Sequence, residues 1–574
     1  MNVHFINGTH KIGDENRRAG NGITKKIVVE SGIWIGADSV IMPGVRVGKG
    51  MIVGAGSLVV SDLEDNAIYI ERPAHLHRKL YKRQKRMSIG KTKDIFSQIK
   101  NKYSGMSVPV KAAFWFTVCN FLQRGISMIT TPVFTRMLST NEYGLYSTYL
   151  SWETVLAMVV TLSLYKAMMN LYVKYDNQEK ILSALCGLEL LLSLIWLGIG
   201  IVFRKPLSNL LQLPEQLVCC LFVSFIFQAV FQCWSLYKRY VYDYRTLVFT
   251  TLISTAGSAI LGVAAVAFVS PTAESRVISS TFVTAIIGII LYATVFRNGK
   301  NFYDKKVWLF SLGFCIPLMP HYLSEFVLQS SDKIMINYLC GTSDVALYSI
   351  AYSAGSLINL ITGAINSTFA PYQYQKIKAG EYELLAKRAN QVLLFVGAML
   401  VGIMLISREI VLIFGGAKYI ECVNVIIPIC IGVYFNYMFQ LFARVQEYYE
   451  RKLTVVIPSI LCAILNLILN YIFIKQCGYQ AAAYTTFVCY ALFCLIHYYF
   501  YKKVCREVLN GQRLYDGKGI LLISLGVTIS GIVVTFINRF LWLKYGIIIT
   551  ILVILVVKRN IVIGIVKNMI GKEE

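Results

Sequence analysis

The feature that most constrains this chain is a succession of apolar stretches, each close to 20 residues long, running from near residue 105 to the C-terminus. A helix rises about 1.5 Å per residue, so about 20 residues cross the ~30 Å of hydrocarbon in a bilayer. In lipid the backbone has to satisfy its own N–H and C=O groups, which for runs of this length means helix. Fourteen stretches are countable, near 108–132, 143–172, 180–203, 217–237, 246–269, 276–296, 307–331, 344–371, 388–407, 421–443, 453–474, 479–501, 518–537 and 543–565. Lys558-Arg559 cuts the last one short. Only 15% of the residues are charged, against roughly 25% in a soluble chain, so the expected fold class is an all-α polytopic membrane protein of about 14 transmembrane helices.

The basic residues set an expected orientation. The net charge is +25, and ten Lys/Arg against the single acid Asp94 lie between Arg78 and Lys102. Lys and Arg then crowd the even-numbered connections, as at Lys238/Arg239/Arg245, Arg297/Lys300/Lys305/Lys306 and Arg444/Arg451/Lys452. The odd connections carry one or two each, such as Arg136, Lys333 and Lys475. The positive-inside rule then puts both termini in the cytoplasm. On this reading the positive charge serves topology and anionic lipid, and no nucleic-acid partner is expected. The 14 Cys show neither metal nor disulfide spacing, and the polar first 30 residues do not read as a signal peptide.

Residues 1–80 follow another rule. Aliphatic residues recur every six positions, at Ile23, Val29, Ile35, Ile41, Val47, Val53 and Val59, and Gly36, Gly48 and Gly54 follow three of them. Neither a helix nor an ordinary strand has a period of six, whereas a hexapeptide-repeat β-helix does, each hexapeptide pointing one aliphatic residue into a prism.

The stretches Thr9-His10-Lys11-Ile12-Gly13-Asp14, Arg17-Arg18-Ala19-Gly20, Trp34-Ile35-Gly36-Ala37, Pro43-Gly44-Val45, Gly54-Ala55-Gly56-Ser57 and Pro73-Ala74 resemble the hexapeptide-repeat O-acetyltransferases of the maltose and galactoside type. The resemblance covers about residues 5–80 and matches the last half of such an enzyme. It implies a short left-handed β-helix with His10 as the catalytic general base on a sugar hydroxyl. Acetyl-CoA would lie against Trp34, Ala37 and Ala55, with Arg78 beside it. An imidazole titrates near neutrality and suits proton abstraction from an alcohol. Val60-Ser61 stand where the family carries a Thr-Lys pair for the coenzyme phosphates, Glu71 replaces a Gly, and the early coils are missing. The segment therefore reads as truncated. Two outcomes stay open, an inactive remnant or an acetyltransferase completed in an oligomer, so whether the chain is an enzyme is undecided.

The membrane part repeats itself. Leu145-Tyr146-Ser147 follows the first apolar stretch and Leu347-Tyr348-Ser349 follows the seventh. The spacing equals one six-span unit, a common design for transporters with a path between two related lobes. The run from Thr135 through Ser139-Thr140-Asn141-Glu142-Tyr143-Gly144 to Ser147 resembles the first loop of Wzx-type oligosaccharide flippases, the polysaccharide biosynthesis proteins of the multidrug/oligosaccharidyl-lipid/polysaccharide exporter superfamily. Ser331-Asp332-Lys333-Ile334-Met335-Ile336 with Leu347–Tyr352 is similar to that family's second-lobe signature. The implied organisation is a β-helix segment at 1–80, a basic linker at 81–105, six-span lobes at 106–303 and 304–505, and an extra two-span region at 506–574. The implied substrate is an undecaprenyl-diphosphate-linked oligosaccharide, moved by alternating access with a proton or sodium ion and no cofactor. Two alternatives stand beside it, a bifunctional glycan O-acetyltransferase plus exporter, and a multidrug exporter of the same superfamily.

Ionisable residues inside spans are costly and are therefore functional candidates. Arg124 and Lys166 are the cations suited to a diphosphate or an acidic sugar, and Lys333, beside Asp332, is a further substrate- or ion-binding candidate. Glu153, Glu189, Glu325 and Asp332 are the acids suited to a coupling ion. His321, after Pro317 and Pro320, marks a place where a broken span is expected, and Pro132 and Pro371 mark expected kinks.

Overall fold

The computed structural model describes residues 2–71, 73–79 and 105–558, and the chain divides into two compact units, Met1–Gly105 and Met106–Glu574. The basic run at 81–104 and the end of the fourteenth apolar stretch lie outside the described residues.

In the first unit, strands β4 (Val28–Val29), β5 (Trp34–Ile35) and β6 (Val40–Ile41) pair in parallel with β7 (Arg46–Val47), β8 (Ile52–Val53) and β9 (Leu58–Val59). Val29 lies on Val47, Ile35 on Val53 and Ile41 on Val59, so one coil consumes three hexapeptides. Ile41, Val47, Val53 and Val59 are almost wholly buried, with Met51 and Leu63 beside them. The glycine after Ile35 has a steric cause, because a Cβ at Gly36 would fall against the Ala55 backbone of the next coil. The period fails at its start. Ile23 sits in a hairpin of β2 (Gly8–Ile12) and β3 (Ala19–Thr24), and Val29 is 44% exposed because β4 pairs only with β7 among the described residues. Strand β1 (His4–Phe5) lies on the free edge of β6, and the antiparallel pair β10 (Ala67–Ile70) and β11 (His75–Lys79) closes the other end.

The second unit is a multi-pass helical membrane bundle. Its helices are α1 (Val108–Met137), α2 (Thr140–Thr161), α3 (Met168–Lys174), α4 (Gln178–Val202), α5 (Arg204–Leu211), α6 (Glu215–Tyr240), α7 (Tyr244–Phe268) and α8 (Ala273–Gly299). They continue with α9 (Lys305–Leu339), α10 (Thr342–Gly355), α11 (Asn359–Ala379), α12 (Tyr382–Leu405), α13 (Ser407–Phe414) and α14 (Ile426–Tyr448). The last four are α15 (Lys452–Cys477), α16 (Gln480–Val508), α17 (Gly517–Ile537) and α18 (Leu541–Val557).

Local sequence explains several starts. Ser139 accepts the N–H of Glu142 in a Ser-x-x-Glu cap, and Asp304 accepts two N–H groups at the head of α9. All fourteen apolar stretches overlap helices. Among the described residues, ten spans are long and apolar enough to cross a membrane, or eleven counting the bent pair α2 and 164–174. The shortfall has a physical pattern. Helix α18 has 17 residues, whereas α1 and α9 have 30 and 35 but are diluted by polar residues, among them Arg124, Asp332 and Lys333.

The expected break after Pro317 and Pro320 does not occur; α9 stays helical through both, as α1 does through Pro132 and α11 through Pro371. The sharp bend, 56°, instead follows α2, where Leu162 and Ser163 both take positive φ. A further irregularity separates α10 from α11 at the 3-10 turn Ser356–Ile358. Two short helices share a local geometry. Helices α5 and α13 each have eight residues, and each follows a bend of nearly the same backbone angles, φ −97°, ψ 22° at Phe203 and φ −98°, ψ 19° at Ile406.

Candidate functional site

The two copies of the Leu-Tyr-Ser motif begin helices that pack on each other. Gly144 in α2 meets the carbonyl of Thr342 at the head of α10 so closely that a Cβ there would overlap its oxygen. Around this contact, side chains tie the segments before residue 300 to those after it. Asn141 Oδ1 accepts hydrogen bonds from Thr342 Oγ1 (3.3 Å) and Ser343 Oγ. Buried Thr135 donates to the Phe414 carbonyl, Lys418 to that of Leu138 (2.7 Å), and Asn337 to Gln212 Oε1 (2.9 Å). These ties cluster at the end of the bundle that carries the connections poorest in basic residues.

Asp332 is the centre of a buried polar group. It is 3% exposed and accepts hydrogen bonds from Asn470 Nδ2 (2.7 Å), Thr486 Oγ1 (2.8 Å) and Tyr348 Oη. Asn470 also donates to Asn466 Oδ1 (3.2 Å) and accepts from Thr485, while Asn466 donates to Thr486 (3.1 Å) and accepts from Ser331 (3.1 Å). The group joins α9, α10, α15 and α16. Such a network is costly to assemble and specific once satisfied, because each missing bond leaves a polar atom stranded in low dielectric. Sequence reading found Asp332 but missed Asn466 and Asn470. An amide pair at i, i+4 on one face of an otherwise apolar helix was the available signal.

The other candidates scatter. Glu153 is half-buried on α2 and accepts from Gln228 Nε2 (2.7 Å) and Ser224 Oγ (3.2 Å). Glu189 is fully buried at the bend after α2; the Tyr165 backbone and Cys233 Sγ (3.2 Å) donate to it, and Oε1 has no partner among the described residues. Lys166 lies in the 3-10 turn Leu164–Ala167, its Nζ 3.2 Å from the ring centroid of Tyr322 on α9. Lys333 is half-buried, 5.4 Å from the Tyr352 ring. Arg124 occupies an exposed face of α1, apart from these groups. Glu325 and His321 are on α9, with side chains outside the described residues. Two buried cations were missed, Lys544 and Arg276; Arg276, 8% exposed, stands 4.5 Å from the Phe134 ring, donates to the Ser258 carbonyl and fills a notch left by Gly262. It heads its apolar stretch, where a charge passes for a boundary. Among the described residues no three His, Cys, Asp or Glu side chains converge as metal ligands.

In the first unit, Ala37 and Ala55 stack at one corner in successive coils, the Gly56 N–H donating to the Ala37 carbonyl (2.8 Å), while Trp34 is 66% exposed. His10 Nδ1 lies 3.0 Å from the Gly20 carbonyl. A carbonyl only accepts, so this bond puts the proton on Nδ1 and leaves Nε2 its lone pair, the form a general base requires. Arg78 lies on β11, and its side chain is outside the described residues.

Residues 110–376 match the family described as polysaccharide biosynthesis protein, and residues 317–472 match MatE. The succinoglycan biosynthesis transport protein ExoT of Rhizobium meliloti is 22% identical over 306 residues, 51% of this chain and 60% of its own length. The galactoside O-acetyltransferase of Lactococcus lactis is 38% identical over 79 residues, 14% of this chain and 38% of the enzyme. The chain thus spans under two thirds of either relative. A solved inward-facing multidrug resistance MATE transporter of the MOP superfamily superposes with a TM-score of 0.51 at 11% identity, covering 68% of this chain and 96% of that one. The chain joins a polysaccharide-biosynthesis, MATE-like exporter region to an N-terminal hexapeptide-repeat acetyltransferase-like segment.

Proposed function

We propose that this polysaccharide-biosynthesis transporter carries the undecaprenyl-diphosphate-linked repeat unit of an O-antigen, capsule or exopolysaccharide across the cytoplasmic membrane by alternating access. The observation that carries the reading is the match of residues 110–376 to the polysaccharide biosynthesis family, which extends across the join between the two halves. On this reading all fourteen apolar stretches span the membrane, as two six-helix lobes at 106–303 and 304–505 with an extra pair at 506–574. The linker at 81–105 and both termini are cytoplasmic. The end tied by Asn141, Thr342 and Ser343 is then extracytoplasmic.

In this scheme Lys166, Lys333 and Arg124 serve the anionic head of the substrate. Asp332, with Glu153, Glu189 and Glu325, serves a coupling proton or sodium ion. Asp332 suits the role, because a carboxylate ringed by hydroxyl and amide groups can exchange a cation without moving its backbone.

A second activity is favoured by two features of the first unit, its 38% identity to a galactoside O-acetyltransferase and the His10–Gly20 bond. It would O-acetylate the glycan with acetyl-CoA before export, with Trp34, Ala37, Ala55 and Arg78 along the coenzyme.

The test is complementation of a cell lacking its own glycan flippase, with residues 105–574 beside the full chain. Restored surface polysaccharide supports the proposal. Drug resistance without any polysaccharide, in the cognate host, would replace it with the drug-exporter alternative.

A further inference from the structure

Sequence alone places Arg444 in a cytoplasmic connection. The structure places it inside α14, one turn before that helix ends at Tyr448, half-buried against α11. One nitrogen, NH2, donates to Gln440 Oε1 (3.4 Å), which also accepts from Asn366 Nδ2 of α11 (2.7 Å). The other nitrogen, NH1, is buried and has no hydrogen-bond partner among the described residues, and the same holds for Asn366 Oδ1 and Tyr437 Oη. No carboxylate among the described residues forms an ion pair with Arg444. Its charge lies near enough to act on the hydroxyls of Tyr374 and Tyr437. The Tyr374 and Tyr448 rings meet beside it, with centroids 5.4 Å apart.

Glu447 hydrogen-bonds Tyr374 nearby but forms no ion pair with Arg444. A guanidinium drawn into a helix bundle without such a pair is expensive, a cost that an arriving anion would offset. The neighbouring groups fit one class of anion. The free guanidinium edge suits phosphate oxygens, which it grips as a fork, and the amides of Asn366 and Gln440 suit sugar hydroxyls. The paired tyrosine rings offer an apolar face for a pyranose. We propose that Asn366, Tyr374, Tyr437, Gln440, Arg444 and Tyr448 form a site for a lipid-borne sugar phosphate, with Arg444 on the phosphate. The site rests on the transport reading above and gives it a second-half contact outside the group centred on Asp332.

The test is binding of geranylgeranyl diphosphate to the full chain in phosphatidylcholine nanodiscs. Wild type is compared with Arg444→Gln and Arg444→Lys, each checked for an unchanged elution and melting profile. Arg444→Gln is expected to bind about tenfold more weakly, with Arg444→Lys in between because it keeps the charge and loses the fork. If Arg444→Gln does not fold, Arg444→Lys carries the comparison, and an affinity equal to wild type overturns the site. Wild-type affinity in a folded Arg444→Gln also overturns it while leaving the transport reading standing. No binding by wild type overturns both. Equal competition by phosphatidylglycerol overturns the assignment to substrate and makes the site one for ordinary anionic headgroups.

Discussion

Gly144 gives the sharpest mechanical prediction, because its lack of a side chain sets how closely the two halves approach. In Gly144→Ala the new methyl would overlap the Thr342 carbonyl oxygen, with Thr342 Cα only 3.2 Å away. Reaching ordinary contact requires α2 and α10 to part by about 1.5 Å, because carbon and oxygen atoms repel steeply inside roughly 3.2 Å. Neither partner yields cheaply, since the clash is with backbone at a helix start. Overpacking of this kind costs about 1–3 kcal/mol. The same separation stretches the bonds from Thr342 and Ser343 to Asn141, each worth about 1 kcal/mol net. The closed end therefore loses about 3 kcal/mol, and its population relative to the open form falls roughly a hundredfold. Spin labels at Thr140→Cys and Glu421→Cys bracket this end, and Cys477, the exposed cysteine among the described residues, is replaced by Ser. Pulsed electron–electron resonance should show a short distance in the parent and a longer one in Gly144→Ala, with polysaccharide export reduced. An unchanged distance with full export would refute the idea that this contact holds the end shut.

Three further outcomes are expected. Asp332→Asn keeps the size of the side chain but presents an amide to hydroxyls that now donate to a carboxylate, so proteoliposome transport should fall at least tenfold while expression holds, at about 1–3 kcal/mol of stability. At the extra pair, the fully buried Lys544 donates to both oxygens of Glu409 (3.0 and 2.7 Å) and Tyr545 to one (2.7 Å), so Glu409→Gln strands a buried cation and should lower the melting temperature, at about 3 kcal/mol. Burial alone would raise the Glu409 carboxyl, but the bonds from Lys544 and Tyr545 outweigh it and hold the group below its usual 4.5. That stabilisation is complete above 4.5 and lost as pH falls through the lowered value, so a melting series below pH 5 should show wild type converging on Glu409→Gln. In the first unit, His10→Ala should abolish any acetyl transfer from labelled acetyl-CoA and leave export unchanged; loss of export instead would make the segment structural to the transporter.

What the sequence disclosed, and what it hid, follows from how each element is stabilised. The hexapeptide period found the buried residues from Ile41 to Val59 because each sits between coils, and it failed at Ile23 and Val29, where hairpin and edge replace stacking. Each of the fourteen apolar stretches falls on a helix, with ten or eleven spans long and apolar enough to cross a membrane among the described residues, but apolar length carried no information about the breaks. The bend at Leu162–Ser163 has no Pro or Gly to announce it, while α9 stays helical through both of its prolines. Buried charge exposed Asp332, whose uncharged partners are ordinary residues until the fold assembles them. Arg276 and Arg444 were misread for one shared reason. A cation within a turn of a helix end looks like the boundary of an apolar run, yet α14 continues to Tyr448, beyond the stretch that ends near 443, and takes Arg444 with it. Groups that meet a substrate at the membrane's polar margin occupy those same last turns. Apolarity thus places the wall of such a transporter reliably and misplaces the residues at its mouth, and those residues have to be read from packing.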